Sequence, residues 1–145
     1  MDAVGRSIPK AEGMSLILLG LGLYWGEGSK NDRRAAVFTN SDYRAIRAYL
    51  SFLREVGVDV SNLRATLFID NMLEAQPVID FWTNVTGIPG SRIYLTRTSS
   101  GDKSVKRVHG ILSLRFTDAD LSRKIFGWLR GISHQFANAG DERPF

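Results

Sequence analysis

The first sustained apolar run, residues 13–26 (GMSLILLGLGLYWG), shows no polar side of helical width and predicts a helix, roughly Ser15 to Gly26, buried all round. Gly22 and Gly26, four positions apart, leave that helix one bare face where a second backbone has room to approach. The run closes on Gly26-Glu27-Gly28, which holds one carboxylate between two glycines at the helix exit. Residues 29–40 (SKNDRRAAVFTN) predict a short hairpin, with Asn31-Asp32 as the turn and Ala35 to Thr39 as its second strand. Ser41-Asp42 then caps a helix that reaches Gly57, its apolar face set by Ile46, Tyr49, Leu50 and Leu53 and its opposite stripe by Arg44, Arg47, Ser51 and Arg54. From Leu63 to Asp70 the pattern switches to period two, with Leu63, Ala65, Leu67 and Ile69 on the inner side of a half-buried strand. Pro77 opens another helix through Val78, Phe81, Trp82 and Val85, which stops at Gly87-Ile88-Pro89-Gly90. Two strands follow, Arg92 to Arg97 and Lys106 to Phe116, joined by the polar loop Thr98 to Val105. Thr117-Asp118 caps a last helix with Leu121, Ile125, Trp128, Leu129 and Ile132 inward.

Those elements make a single α+β domain at residues 13–135, with a flexible start at 1–12 and a tail at 136–145. A chain of 145 residues suits one core better than two. The absence of cysteine excludes thiol redox chemistry, cysteine zinc sites and a disulfide scaffold. With two histidines, His109 and His134, a metal would have to rest on carboxylates, which suits a hard cation such as Mg²⁺. The apolar run is too short to span a bilayer, and it ends in Leu23-Tyr24-Trp25 rather than a small-residue cleavage site. The expectation is a cytoplasmic chain with no membrane partner.

Charge changes the picture more than composition does. Lys and Arg number 19 against 15 acids, a net +4, but residues 91–130 alone hold nine bases and three acids. Along the last strand Lys106, Val108, Gly110, Leu112, Leu114 and Phe116 fall on one face, and Arg107, His109, Ile111, Ser113 and Arg115 on the other. Arg64 and Thr66, the hairpin's Arg33 and Arg34, and Arg92, Tyr94, Thr96 and Arg97 extend that donor-rich side. Such side chains fanned over a twisted ribbon suit phosphates and base edges of double-stranded DNA. The same pattern also fits a solvated face with no ligand.

Phosphodiester cleavage at such a surface needs carboxylates around a metal ion. Two copies of the first helix crossing at Gly22 and Gly26 would bring two Glu27 side chains to one Mg²⁺. The stretch Gly20-Leu21-Gly22-Leu23-Tyr24-Trp25-Gly26-Glu27-Gly28 resembles the LAGLIDADG motif, and Ser29-Lys30 with Phe38-Thr39-Asn40-Ser41-Asp42 looks like bacterial members of that homing endonuclease superfamily. The resemblance implies an αββαββα-type domain with an antiparallel saddle sheet, here with an inserted helix, and a homodimer joined through Leu19, Gly22, Leu23 and Gly26. It also implies Glu27 as metal ligand, Lys103 and Lys106 as further groups of the catalytic region, and Lys30, Arg107 and Arg115 in DNA-contacting regions. The leading expectation is therefore a homodimeric, Mg²⁺-dependent double-strand DNA endonuclease. Its alternative is a non-catalytic DNA-binding regulator on the same fold, and a third possibility is an interaction scaffold without nucleic acid.

Overall fold

A computed structural model of the chain describes residues 13–28, 35–98 and 108–141. Its helices are α1 (Gly13–Glu27), α2 (Tyr43–Glu55), α3 (Ala75–Thr86) and α4 (Ala119–Asp141), and its strands are β1 (Ala36–Asn40), β2 (Arg64–Asp70), β3 (Ile93–Thr98) and β4 (Ile111–Phe116). Local chemistry sets several of these boundaries. Asp42 is extended and its Oδ1 accepts the amide of Arg44 at 2.9 Å, which starts α2. The Arg44 side chain returns to the same carboxylate, and this hydrogen bond holds the Asp42 carboxyl below its usual range. Asp118 caps α4 through the amides of Asp120 and Leu121, and Gly87, at φ 79°, ends α3 in the left-handed region.

The sheet runs in the order β1-β4-β2-β3. β4 is antiparallel to both β1 and β2, whereas β2 and β3 are parallel, with Ala65 opposite Ile93 and Asp70 opposite Thr98. The expected all-antiparallel saddle is therefore a mixed sheet. The reason is α3: a strand-helix-strand passage carries the chain back to the starting end and makes the next strand parallel. The helix read as an insertion is the crossover of this unit. Of the predicted hairpin only its second strand lies within the described residues, as β1.

All four helices bury side chains with one face of the sheet. Phe38, Ala65, Leu67, Ile69, Leu112 and Leu114 join a single cluster with Leu21 and Tyr24 of α1, Ile46, Tyr49 and Phe52 of α2, Val78 and Trp82 of α3 and Ile125 of α4. Stacked rings occupy its centre, with Phe38 and Tyr49 centroids 4.2 Å apart and Tyr24 beyond them. The Tyr49 hydroxyl finds no hydrogen-bond partner among the described residues, and burial pushes its pKa well above the ordinary tyrosine value.

α1 departs from its expected all-round burial. It packs on α2 through Gly20, where an added Cβ would lie 1.9 Å from Cγ of Phe52, so the intimate helix contact uses Gly20 and not Gly22 or Gly26. The opposite side is open: Met14 is 66% exposed, Leu18 53%, Leu19 46% and Trp25 47%. One layer of helices covers the sheet, and no described element lies outside α1. Trp128, expected inward, is 38% exposed, because α4 turns Ser122 and Ile125 toward the core. α4 also continues to Asp141, past the expected start of the tail. The expected N-terminal segment, residues 1–12, lies outside the described residues.

Candidate nucleic-acid interface

Because the helices share one side of the sheet, the alternate positions of each strand face outward. The register sets them in rows. Val37, Arg115 and Arg64 form one row, and Thr39, Ser113, Thr66 and Tyr94 a second. Ile111, Phe68 and Thr96 form the third. In the second row Thr39 Oγ1 donates to Ser113 Oγ at 3.0 Å, so two hydroxyls are already oriented. Most of these side chains, with Thr117, line a shallow concavity of about 400 Å³. Among the described residues none of the side chains lining it is acidic.

The electrostatics of this face centre on Arg64 and Arg115, both exposed and directly opposite across β2 and β4. Like charges at facing positions of an antiparallel pair repel. A guanidinium can add charge-assisted hydrogen bonds to an anion, and both of these face the same side of the sheet. Thr66 and Ser113 supply neutral hydroxyls next to the charged row. Among the described residues lining the concavity, the two guanidiniums are the charged groups, set beside hydroxyls and aromatic rings.

Four expected contact residues, Arg64, Thr66, Ser113 and Arg115, thus meet on one face. Three others do not. Arg92 folds back, its Nη2 donating to the carbonyls of Ser61 at 2.7 Å and Leu63 at 2.9 Å, and it ties the short 3₁₀ turn before β2 to the turn before β3. Arg97 points to the other side of its strand and donates to the carbonyls of Asp70, Asn71 and Leu73. His109 stacks on Phe81 of α3 at 3.6 Å between centroids, while its carbonyl accepts the indole N–H of Trp82. The strand expected from Lys106 begins only at Ile111, because Gly110, at φ 65°, turns the chain against the Phe68 carbonyl where a Cβ has no space. That turn takes His109 off the face its parity assigned.

Lys30, Arg33, Arg34, Lys103, Lys106 and Arg107 lie outside the described residues, as does the Glu27 side chain, although Glu27 is the last residue of α1. Among the described residues no three His, Cys, Asp or Glu side chains stand together in a way that would hold a metal ion. Leu19, Gly22, Leu23 and Gly26, the expected dimer residues, do come together: with Leu18 they line an open apolar groove of about 420 Å³. Phe68 was not singled out by the charge pattern, yet it shares its parity with Arg64 and Thr66, and that was the available signal. No helix among the described residues is long and apolar enough to cross a membrane.

No family model and no curated protein matches this chain. A similar solved structure is the OmpA-like domain of FopA1 from Francisella tularensis subsp. tularensis SCHU S4, at 8% sequence identity and a TM-score of 0.30, with 77% of this chain and 90% of that one covered. A likeness at that score carries neither a fold assignment nor a function. The resemblance to the LAGLIDADG superfamily does not hold. No family model supports it, and the sheet has a parallel pair where that superfamily implies an antiparallel saddle. What remains is an α+β domain with a four-stranded mixed sheet covered by helices on one face.

Proposed function

We propose that the open face of the sheet binds nucleic acid, and that the protein acts as a binding module through it. The observation carrying this reading is the facing pair Arg64 and Arg115, set beside a row of hydroxyls on a face whose concavity has no acidic lining among the described residues. Guanidiniums placed to share a phosphate supply the counterion-releasing contacts on which nucleic-acid affinity rests. Cleavage is not part of the proposal, since its support came from pairing Glu27 through a family resemblance that fails.

A second copy of the chain is the partner proposed for α1. Residues 13–26 carry no charge, so two copies meet there without repulsion, and a Cβ at Gly22 or Gly26 meets nothing within 4 Å among the described residues. Two sheets joined in this way would offer two binding faces per particle.

The test of the binding reading is fluorescence anisotropy with labelled oligonucleotides over a salt series. Arg64→Ala or Arg115→Ala should weaken binding by about 1–3 kcal/mol and flatten the salt dependence by roughly one unit of slope. Affinity unchanged in both variants would remove this face from the interaction.

A further inference from the structure

The inference drawn here deepens the nucleic-acid reading and rests on it. We infer that the concavity accepts a single-stranded segment, with a phosphate between Arg64 and Arg115 and an unstacked base on the Tyr94 and Phe68 rings.

Three features point to a single strand. The first is the ring pair. Tyr94 is 65% exposed on the outer face of β3, opposite Thr66, and Phe68 stands two positions further along β2 on the same face. Tyr94 and Phe68 both turn an aromatic ring to this face, and a base has the flat apolar surface that complements both. In a duplex those surfaces are sealed inside the stack. Only a strand with bases splayed out can offer them.

The second is distance. At roughly 3.4 Å per residue, Arg64 and Phe68 are separated by about 14 Å along β2, with the Thr66 and Tyr94 row between them. Charge therefore sits at one end of the concavity, the Tyr94 ring one row further on and Phe68 at the far end, an order that suits a backbone phosphate followed by its base. Ser113 and Thr66 lie at the middle, where hydroxyls can bond to sugar or base-edge atoms.

The third is width. Four strands about 4.8 Å apart place the outer two axes about 14 Å from each other, before side chains are added. The major groove of B-DNA is roughly 12 Å wide and admits a helix or a two-stranded ribbon. This face is too broad to enter it as a ribbon does, and it is shaped as a platform on which a flexible strand lies.

The experiment compares fluorescein-labelled dT15 with the dT15·dA15 duplex by anisotropy, using the full chain, its Tyr94→Ala and Tyr94→Phe variants, and circular dichroism as the folding control. The expected result is tighter binding of dT15 than of the duplex, a loss of about tenfold for dT15 in Tyr94→Ala, and near-complete retention in Tyr94→Phe. Tyr94 is exposed, so its replacement should leave the fold intact. Duplex bound as tightly as dT15, or a Tyr94→Ala variant with unchanged dT15 affinity, would overturn the single-strand inference while leaving the nucleic-acid reading in place. Binding of neither probe by the folded wild type would sink both together.

Discussion

Gly20 and Gly22 are two residues apart on one helix, yet they meet opposite conditions. A Cβ at Gly20 collides with the Phe52 ring, whereas a Cβ at Gly22 meets nothing within 4 Å. Gly20→Ala should accordingly destabilise the domain by about 1–3 kcal/mol through overpacking. Gly22→Ala should leave stability unchanged or raise it by up to about 1 kcal/mol, since alanine is the better helix former. Urea unfolding midpoints of the two variants check the pair, and equal losses would contradict the assigned contact. Tyr49 offers a second residue-scale test. Its ring packs on Phe38, but its buried hydroxyl has no partner among the described residues. Tyr49→Phe keeps the ring and removes the orphaned group, so thermal unfolding should show a gain of about 1 kcal/mol rather than a loss. At this scale the sequence was a fair guide to which arginines share a strand parity and a poor one to what they touch. Arg64 and Arg115 keep the outward positions that alternation assigns them. Arg92 and Arg97 are drawn to backbone carbonyls that only the folded turns place within reach.

Elements were legible where periodicity was strong. The α2 face of Ile46, Tyr49, Leu50 and Leu53, the inner side of β2 and the α3 helix were all readable from spacing alone; the first two are buried as their period requires, whereas on α3 Val78 and Trp82 are buried and Phe81 and Val85 only half-buried. How the strands pair was not readable with the same ease. A hairpin and a crossover can join similar strands, and the length of chain from Asp70 to Ile93, which carries a whole helix, decides for the crossover. α1 shows a different limit. A helix apolar on every side reads as fully buried, but a domain with one helical layer can bury only one of its sides. Its open groove, proposed as the contact with a second copy, separates folding from association by its own geometry. Gly22→Leu fills space that no described residue occupies, so the variant should fold normally and yet run as a monomer in light scattering where the wild type runs as a dimer. A wild-type monomer, or a Gly22→Leu dimer, would place no subunit contact on α1.

For the molecule as a whole, one-sided helix packing is the fact that organises the rest. It gives the core its aromatic centre, and it leaves a sheet face on which the register, rather than the primary sequence, brings Arg64 from one strand against Arg115 from another. The basic excess of residues 91–130 hinted at such a surface, but half of its meaning depended on which side of which strand each base occupies, and a nine-residue motif on α1 suggested a family that the sheet topology does not support. The account stands on the facing arginine pair. Its most direct test is the oligonucleotide affinity of the Arg64→Glu/Arg115→Glu double variant, measured by anisotropy across a salt series after circular dichroism has confirmed its fold. The expected result is a loss of affinity of at least about a hundredfold at low salt, with the residual binding showing a clearly flatter salt dependence than the wild type. A folded double variant that binds with wild-type affinity and wild-type salt slope would contradict it.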